Sequence, residues 1–453
     1  MPRLLRSPLG RWVDPAAAFV ALYGRQTDVA WLDSGPDATT GRSYLGRASR
    51  KVSSDTTGSL IDLLRADLAE KRLETPGEGF TLGWVGWLGY ETRFETMGTQ
   101  ATRSSPYPDA AALYLERAIE FDHETRAVTL LALGDAWDGE LALWRDEIAE
   151  ALASIPSPTS GLAEPCLAPE PVEAAHAEAP GAHWRDTDAE YLDKIAQCQA
   201  AIASGDAYLL CLTTAVRIDA HPDPVSTYLA LRRSSPGQHG ALLRIGDISL
   251  LSASPEQFMI VTPDGVVESR PVKGTRPRGK TPDEDAALLA ELASSEKERA
   301  ENLMIVDLMR NDIGRVSQVG SVEVPSLLVV ETLAPVHQLV STVRGRLEPG
   351  LVGMDAVVAC FPAGSMTGTP KSSATRILDS LEGAPRGIYS GAFGYFSLDG
   401  RIDLAMVIRS IVISPAGATI GTGGGITALS EPLEELAEVK LKAAALLAAI
   451  GVD

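Results

Sequence analysis

The chain has 453 residues, of which 45% are hydrophobic and 22% charged, enough for a large core and for two or three domains. Its net charge of −20 repels phosphate backbones and argues against nucleic acid as a partner. No apolar run approaches the roughly 20 residues that span a bilayer, which argues against a membrane protein.

The opening residues MPRLLRSPLGRWVD carry charge without an apolar stretch, so no signal peptide is read there and a cytoplasmic location is expected. Val29–Asp33 reads as a strand, and Leu60–Glu70 has helical apolar spacing. Ala118–Asp122 and Ala127–Leu133 flank His-Glu-Thr-Arg as a hairpin. From Ser154 to His183 the chain is rich in Pro, Ala and Glu with no sustained apolar period. A linker over 154–185 is therefore expected, between an N-terminal α+β domain, 1–153, and a C-terminal domain, 186–453. The latter opens with the capping box Thr187-x-x-Glu190 and a helix closed by Gly205. Strands are expected at Tyr208–Ile218, Ala241–Ile245, Ile248–Ser252, Phe258–Val261 and Val266–Ser269. Thr281-Pro282 and Ser295-x-x-Glu298 start two further helices, the second running to about Gly314, and a last helix runs from after Ser430 to Ile450. Strands in runs predict an α+β architecture with antiparallel sheets.

Four cysteines, Cys166, Cys198, Cys211 and Cys360, form no CxxC, and six scattered histidines give no zinc spacing. They read as buried reduced thiols. None stands in a G-x-C-x-G turn, so no glutaminase nucleophile is evident.

Glu298 and Glu301 share one helix face, as do Glu435 and Glu438, with Lys442 one turn beyond. If the two faces met, they would offer the oxygen ligands of a hard cation such as Mg²⁺; taken singly, each pair is more simply a solvated face. Gly421–Gly425 follows a short apolar strand, and Ala363–Lys371 imitates a phosphate loop but has three residues between its glycines and Thr-Pro before the lysine. Lys273 ends a strand and is a nucleophile only if its pKa is lowered. Glu256 is an acid only if its pKa is raised.

Taken in order, Ser254-Pro255-Glu256, Pro271–Gly279, Glu301–Leu308, Arg310-Asn311-Asp312, His337–Ser341, Phe361–Gly368, Arg386–Gly391, Gly423-Gly424-Gly425 and Glu435-x-x-Glu438-x-x-x-Lys442 form one series. Over roughly residues 186–450 it resembles the chorismate-utilising enzymes: anthranilate synthase component I, aminodeoxychorismate synthase component I, and the isochorismate and salicylate synthases. Trp31–Ser34 and Gly83–Glu91 extend the resemblance more loosely into the N-terminal part.

The resemblance implies large antiparallel sheets packed face to face with helices around them. It implies Mg²⁺ on Glu301 and Glu438, with Glu298 and Glu435 close behind. Tyr389, Arg409, Gly423, Gly425 and Lys442, with Gly274 and Thr275, would hold the substrate. Glu256 would protonate the leaving 4-hydroxyl, and His337 with Ser365, Thr367 and Gly368 would line the ring site. In the anthranilate and isochorismate branches the residue matching Lys273 is typically alanine; the aminodeoxychorismate branch typically has lysine. The lysine that activates water in isochorismate synthases is replaced here by Leu209. The expected activity is Mg²⁺-dependent amination of chorismate to 4-amino-4-deoxychorismate, for 4-aminobenzoate and folate. Ammonia would come from a glutamine amidotransferase subunit. Anthranilate synthase component I is the alternative enzyme, and a non-catalytic anion- or nucleotide-binding protein is the alternative of another class.

Overall fold

A computed structural model describes residues 3–74, 77–156, 181–333 and 336–452. Cys166 and residues 157–180 of the expected linker lie outside them. Among these residues two antiparallel sheets form the centre, one of twelve strands and one of ten. Alternation along each strand sorts side chains between layers. In Val29–Asp33, Val29 and Trp31 pack towards helices, while Ala30 and Leu32 join Val85, Trp87, Phe393 and Tyr395 of the ten-stranded sheet. In Gly83–Leu88 the assignment is mirrored: Trp84 and Leu88 face helix Leu60–Glu70 and its neighbours, and Val85 and Trp87 face the other sheet. The result is two sheets face to face with a helical layer outside each, as expected.

The two halves of the sequence share both sheets. Val29–Asp33 pairs with His239–Ile245, and Gly83–Leu88 pairs with Ala392–Ser397. A buried ion pair repeats the link: Arg232 Nε stands 2.5 Å from Asp33 Oδ2, which also accepts the Tyr228 hydroxyl at 3.1 Å. The boundary near residue 154 is thus a feature of composition, and neither sheet stops there. The segment expected as linker also ends in a strand, Ala182–Trp184, paired with Leu209–Ile218.

Local signals set the helices that matter for the site. Helix Glu296–Gly314 is capped by the Ser295 hydroxyl, which accepts from Glu298 N, and it buries Ile305, Val306, Met309 and Ile313 against the ten-stranded sheet. The last helix, Pro432–Ile450, starts with proline in its first turn and closes on left-handed Gly451, and it lies against strand Gly417–Ile426 of the twelve-stranded sheet. Each helix therefore belongs to a different sheet, and their N-terminal turns carry the glutamates. No helix of the described residues is long and apolar enough to cross a membrane.

Candidate active site

Gly425 locates the meeting point. A Cβ placed there would stand 3.4 Å from Glu301 Oε2, 3.4 Å from Lys273 Nζ and 3.7 Å from Leu209 Cδ1. Three side chains from three elements thus converge on a backbone without a side chain of its own. Lys273 Nζ lies 3.6 Å from Glu301 Oε2, and both side chains are largely buried. Next along the strand, Gly424 faces Glu435 Oε2, which a Cβ would approach to 3.1 Å. Lys297 donates to Glu435 Oε1 at 2.8 Å and so joins the two glutamate helices directly.

The electrostatics follow from this crowding. Burial by itself would lower Lys273, but Glu301, Cys211, Glu256 and Glu298 outweigh it and hold the amine above the usual lysine value. Burial raises Glu301; Lys273 opposes this, and the nearby charges of Glu298 and Glu435 reinforce it. Glu256 is pushed up to about 7 by burial, against a hydrogen bond from Ser365, the charge of Lys273 and the Val272 backbone. A carboxyl so placed keeps its proton into the neutral range and is fit to donate it.

The four expected metal ligands each have a cationic partner. Arg276 stands 3.5 Å from Glu298, Lys273 3.6 Å from Glu301, Lys297 2.8 Å from Glu435 and Lys442 2.7 Å from Glu438. Among the described residues no three acidic, histidine or cysteine side chains converge at metal-binding range. The carboxylate oxygens are nonetheless the donors a hard cation takes, and Glu301 is destabilised as an anion by two carboxylate neighbours. A divalent ion fits here provided it replaces lysine charge.

The remaining expected residues divide. The Tyr389 ring fills the side-chain space of Gly421, where a Cβ would fall 2.0 Å from its Cγ. Arg409 adopts a left-handed backbone, φ 51°, and makes no ion pair or side-chain hydrogen bond among the described residues; burial pulls it below the usual arginine value, against the charges of Glu438 and Tyr389. Lys442 donates to Gly423 O at 3.0 Å. Gly274, at φ +83°, lies against the Glu298 side chain, and Gly368 against Leu209 O.

Three expected residues do not join the cluster. His337 is fully buried, and both ring nitrogens are engaged, by Asp285 at 2.9 Å and Thr332 at 2.8 Å. It ties helix Pro282–Ser294 to the sheet. Thr275 is exposed, and the Thr367 hydroxyl is spent on Ala363 O and Gly364 O of its own turn. The loop that imitates a phosphate site is likewise closed: Lys371 Nζ lies 2.5 Å from Asp312 and donates to Cys360 O at 2.8 Å.

Three residues outside the expected site also belong to the cluster. Lys297 and Arg276 hold the glutamates, and Cys211, opposite Gly425 in the sheet, borders Lys273. Lys297 stands one helical turn before Glu301, a charge spacing that could have flagged it.

Residues 28–448 match the family described as chorismate binding enzyme. Aminodeoxychorismate synthase of Streptomyces griseus is 44% identical, over 96% of this chain and 62% of its own length. The aminodeoxychorismate synthase of Streptomyces pristinaespiralis is 41% identical over 96% and 64%. The chain therefore spans less than two thirds of these relatives. Anthranilate synthase component I from Streptococcus pneumoniae superposes with a TM-score of 0.74 at 27% identity, covering 98% of this chain and 99% of the other. With its two shared sheets and the motif residues gathered around Gly425, this chain belongs to the chorismate binding enzyme family.

Proposed function

We propose that the chain aminates chorismate to 4-amino-4-deoxychorismate, with Lys273 as nucleophile and Glu256 as acid. One observation carries the reading. Lys273 lies beside Glu301 and the bare Gly425 backbone, and it interacts by charge with the buried carboxyl of Glu256, which burial pushes up to about 7. The Lys273 amine attacks ring carbon 2, the double bonds move, and the 4-hydroxyl leaves with the proton of Glu256. Ammonia then adds at carbon 4, the double bonds return, and the lysine is expelled. Arg409, Tyr389 and Lys442 hold the carboxylates, and Ser365 orients Glu256.

Glu301 and Glu438 would hold Mg²⁺, with Glu298 and Glu435 behind, and when bound the ion supplies positive charge for the ring carboxylate. Lys273 needs its free amine to attack, and the Glu301 charge opposes that. Nitrogen comes as ammonia, and a glutamine amidotransferase subunit is the proposed donor.

The test is incubation with chorismate, Mg²⁺ and ammonium, followed by product separation. The reading predicts 4-amino-4-deoxychorismate; mainly fluorescent anthranilate would instead establish the second reading, anthranilate synthase component I. That reading draws on the full-length similarity to the Streptococcus pneumoniae structure. The engaged Lys371 argues against a nucleotide-binding loop, and consumption of chorismate would dismiss a non-catalytic role.

A further inference from the structure

Glu91 closes the segment Gly83–Glu91, to which no chemistry has been given. Its carboxylate is buried, 3% exposed, and takes two backbone N–H groups of one loop. Arg386 N donates to Oε1 at 3.0 Å and Gly387 N to Oε2 at 2.8 Å. Tyr90 N donates in turn to Gly387 O at 2.8 Å, so the loop is clasped from the N-terminal segment in both directions.

What the loop carries makes this contact consequential. The Arg386 guanidinium, buried over the Tyr90 ring, donates to Met366 O at 2.6 Å and Cys211 O at 2.9 Å, and pairs with Glu382 at 2.7 Å. Met366 adjoins Ser365, the hydrogen-bond partner of Glu256. Cys211 is the sheet partner of Gly425. Three residues beyond Arg386, the Tyr389 ring covers Gly421. One loop thus sets the acid's support, the strand under the substrate and a carboxylate-binding ring.

We propose that Glu91 is a positioning residue of the active site, whose two carboxylate oxygens set the Arg386–Tyr389 loop and through it the groups around chorismate. This rests on the chorismate reading above. Two buried N–H donors need two acceptors, and a carboxylate has them. A glutamine has a single acceptor oxygen, and its amide N–H groups would face a backbone donor. A misplacement of about 1 Å costs on the order of 100-fold in a preorganised site.

The experiment compares wild type, Glu91→Gln and Glu91→Asp in the full chain. It measures thermal unfolding, chorismate binding by calorimetry, and steady-state amination with Mg²⁺ and saturating ammonium. Glu91→Gln is expected to weaken chorismate binding and lower kcat/KM by about 10- to 100-fold, most of it in KM. Glu91→Asp, which keeps both acceptors but draws them back by one methylene, is expected to fold and to raise KM by a smaller factor than Glu91→Gln. A folded Glu91→Gln with wild-type affinity and kcat/KM overturns the proposal. So does a loss of activity that follows the unfolded fraction with KM unchanged. If Glu91→Gln does not fold, Glu91→Asp decides: a raised KM at full folding supports the proposal, and a wild-type KM overturns it. If wild type binds chorismate but makes no aminated product, the amination reading fails, and calorimetry alone judges Glu91. If wild type binds no chorismate, both fall.

Discussion

Replacing Glu256 by glutamine tests the central electrostatic claim without needing turnover. Glutamine has the shape and neutrality of the protonated acid. In the folded chain Glu256 ionises near pH 7, against 4.5 ordinarily, chiefly because it is buried. Below pH 4.5 the group is protonated whether folded or unfolded, and it adds no pH dependence. Between 4.5 and 7 the unfolded chain releases its proton and the folded chain does not, so wild type loses stability as pH rises. Above 7 the loss is complete. At roughly 1.4 kcal/mol per pH unit, the span from 4.5 to about 7 amounts to about 3 kcal/mol. Glu256→Gln escapes this loss. Urea unfolding at pH 4.5 and pH 8.5, with chelator and without substrate, should show the variant gaining about 3 kcal/mol on wild type across that interval. The same variant should lose about 10²- to 10⁴-fold in kcat, because an amide has no proton to give to the leaving hydroxyl. A stability difference equal at both pH values would refute the assignment of Glu256 as the perturbed acid.

Lys273→Ala should abolish most amination or shift products toward anthranilate, checked by chromatography; an unaffected variant would remove Lys273 from the mechanism. Gly425→Ala adds a Cβ at ordinary contact from Glu301 and Lys273. It should leave the melting temperature within a few degrees yet raise the KM for chorismate by about ten-fold or more, since the methyl occupies substrate space; calorimetry provides the check. Asp312→Asn strands the Lys371 charge in a buried setting and should cost about 3–5 kcal/mol in urea unfolding. Chelation should stop chorismate consumption, and Mg²⁺ titration should restore it; activity indifferent to chelator would exclude the glutamate pairs as a metal site.

Much of the fold was legible because its signals are local. The Thr187–Glu190 capping box, the Ser295 cap, the Pro432 start and the hairpin around His123 to Arg126 each depend on residues within one turn of one another. Elsewhere pattern does not decide: in the apolar run Val357–Cys360 a short buried helix and a buried strand read alike, and in the fold it ends helix Gly353–Cys360. His337 shows a related limit: its position in a motif says nothing of which strand face it occupies, and in the folded chain Asp285 and Thr332 engage both its nitrogens.

From sequence alone came the residue types, their order and the helix faces: glutamates three apart on two helices and glycines on a strand; Lys273, expected to end a strand, instead stands second in strand Val272–Pro277. Those follow from covalent periodicity, which any reader of the chain can count. That the two helices approach, that Lys297 bridges them, that Glu91 reaches across nearly three hundred residues to the Arg386 loop, and that both sheets ignore the boundary near residue 154 were decided only in three dimensions. Long-range pairing depends on which apolar faces bury each other, and no local pattern encodes the partner.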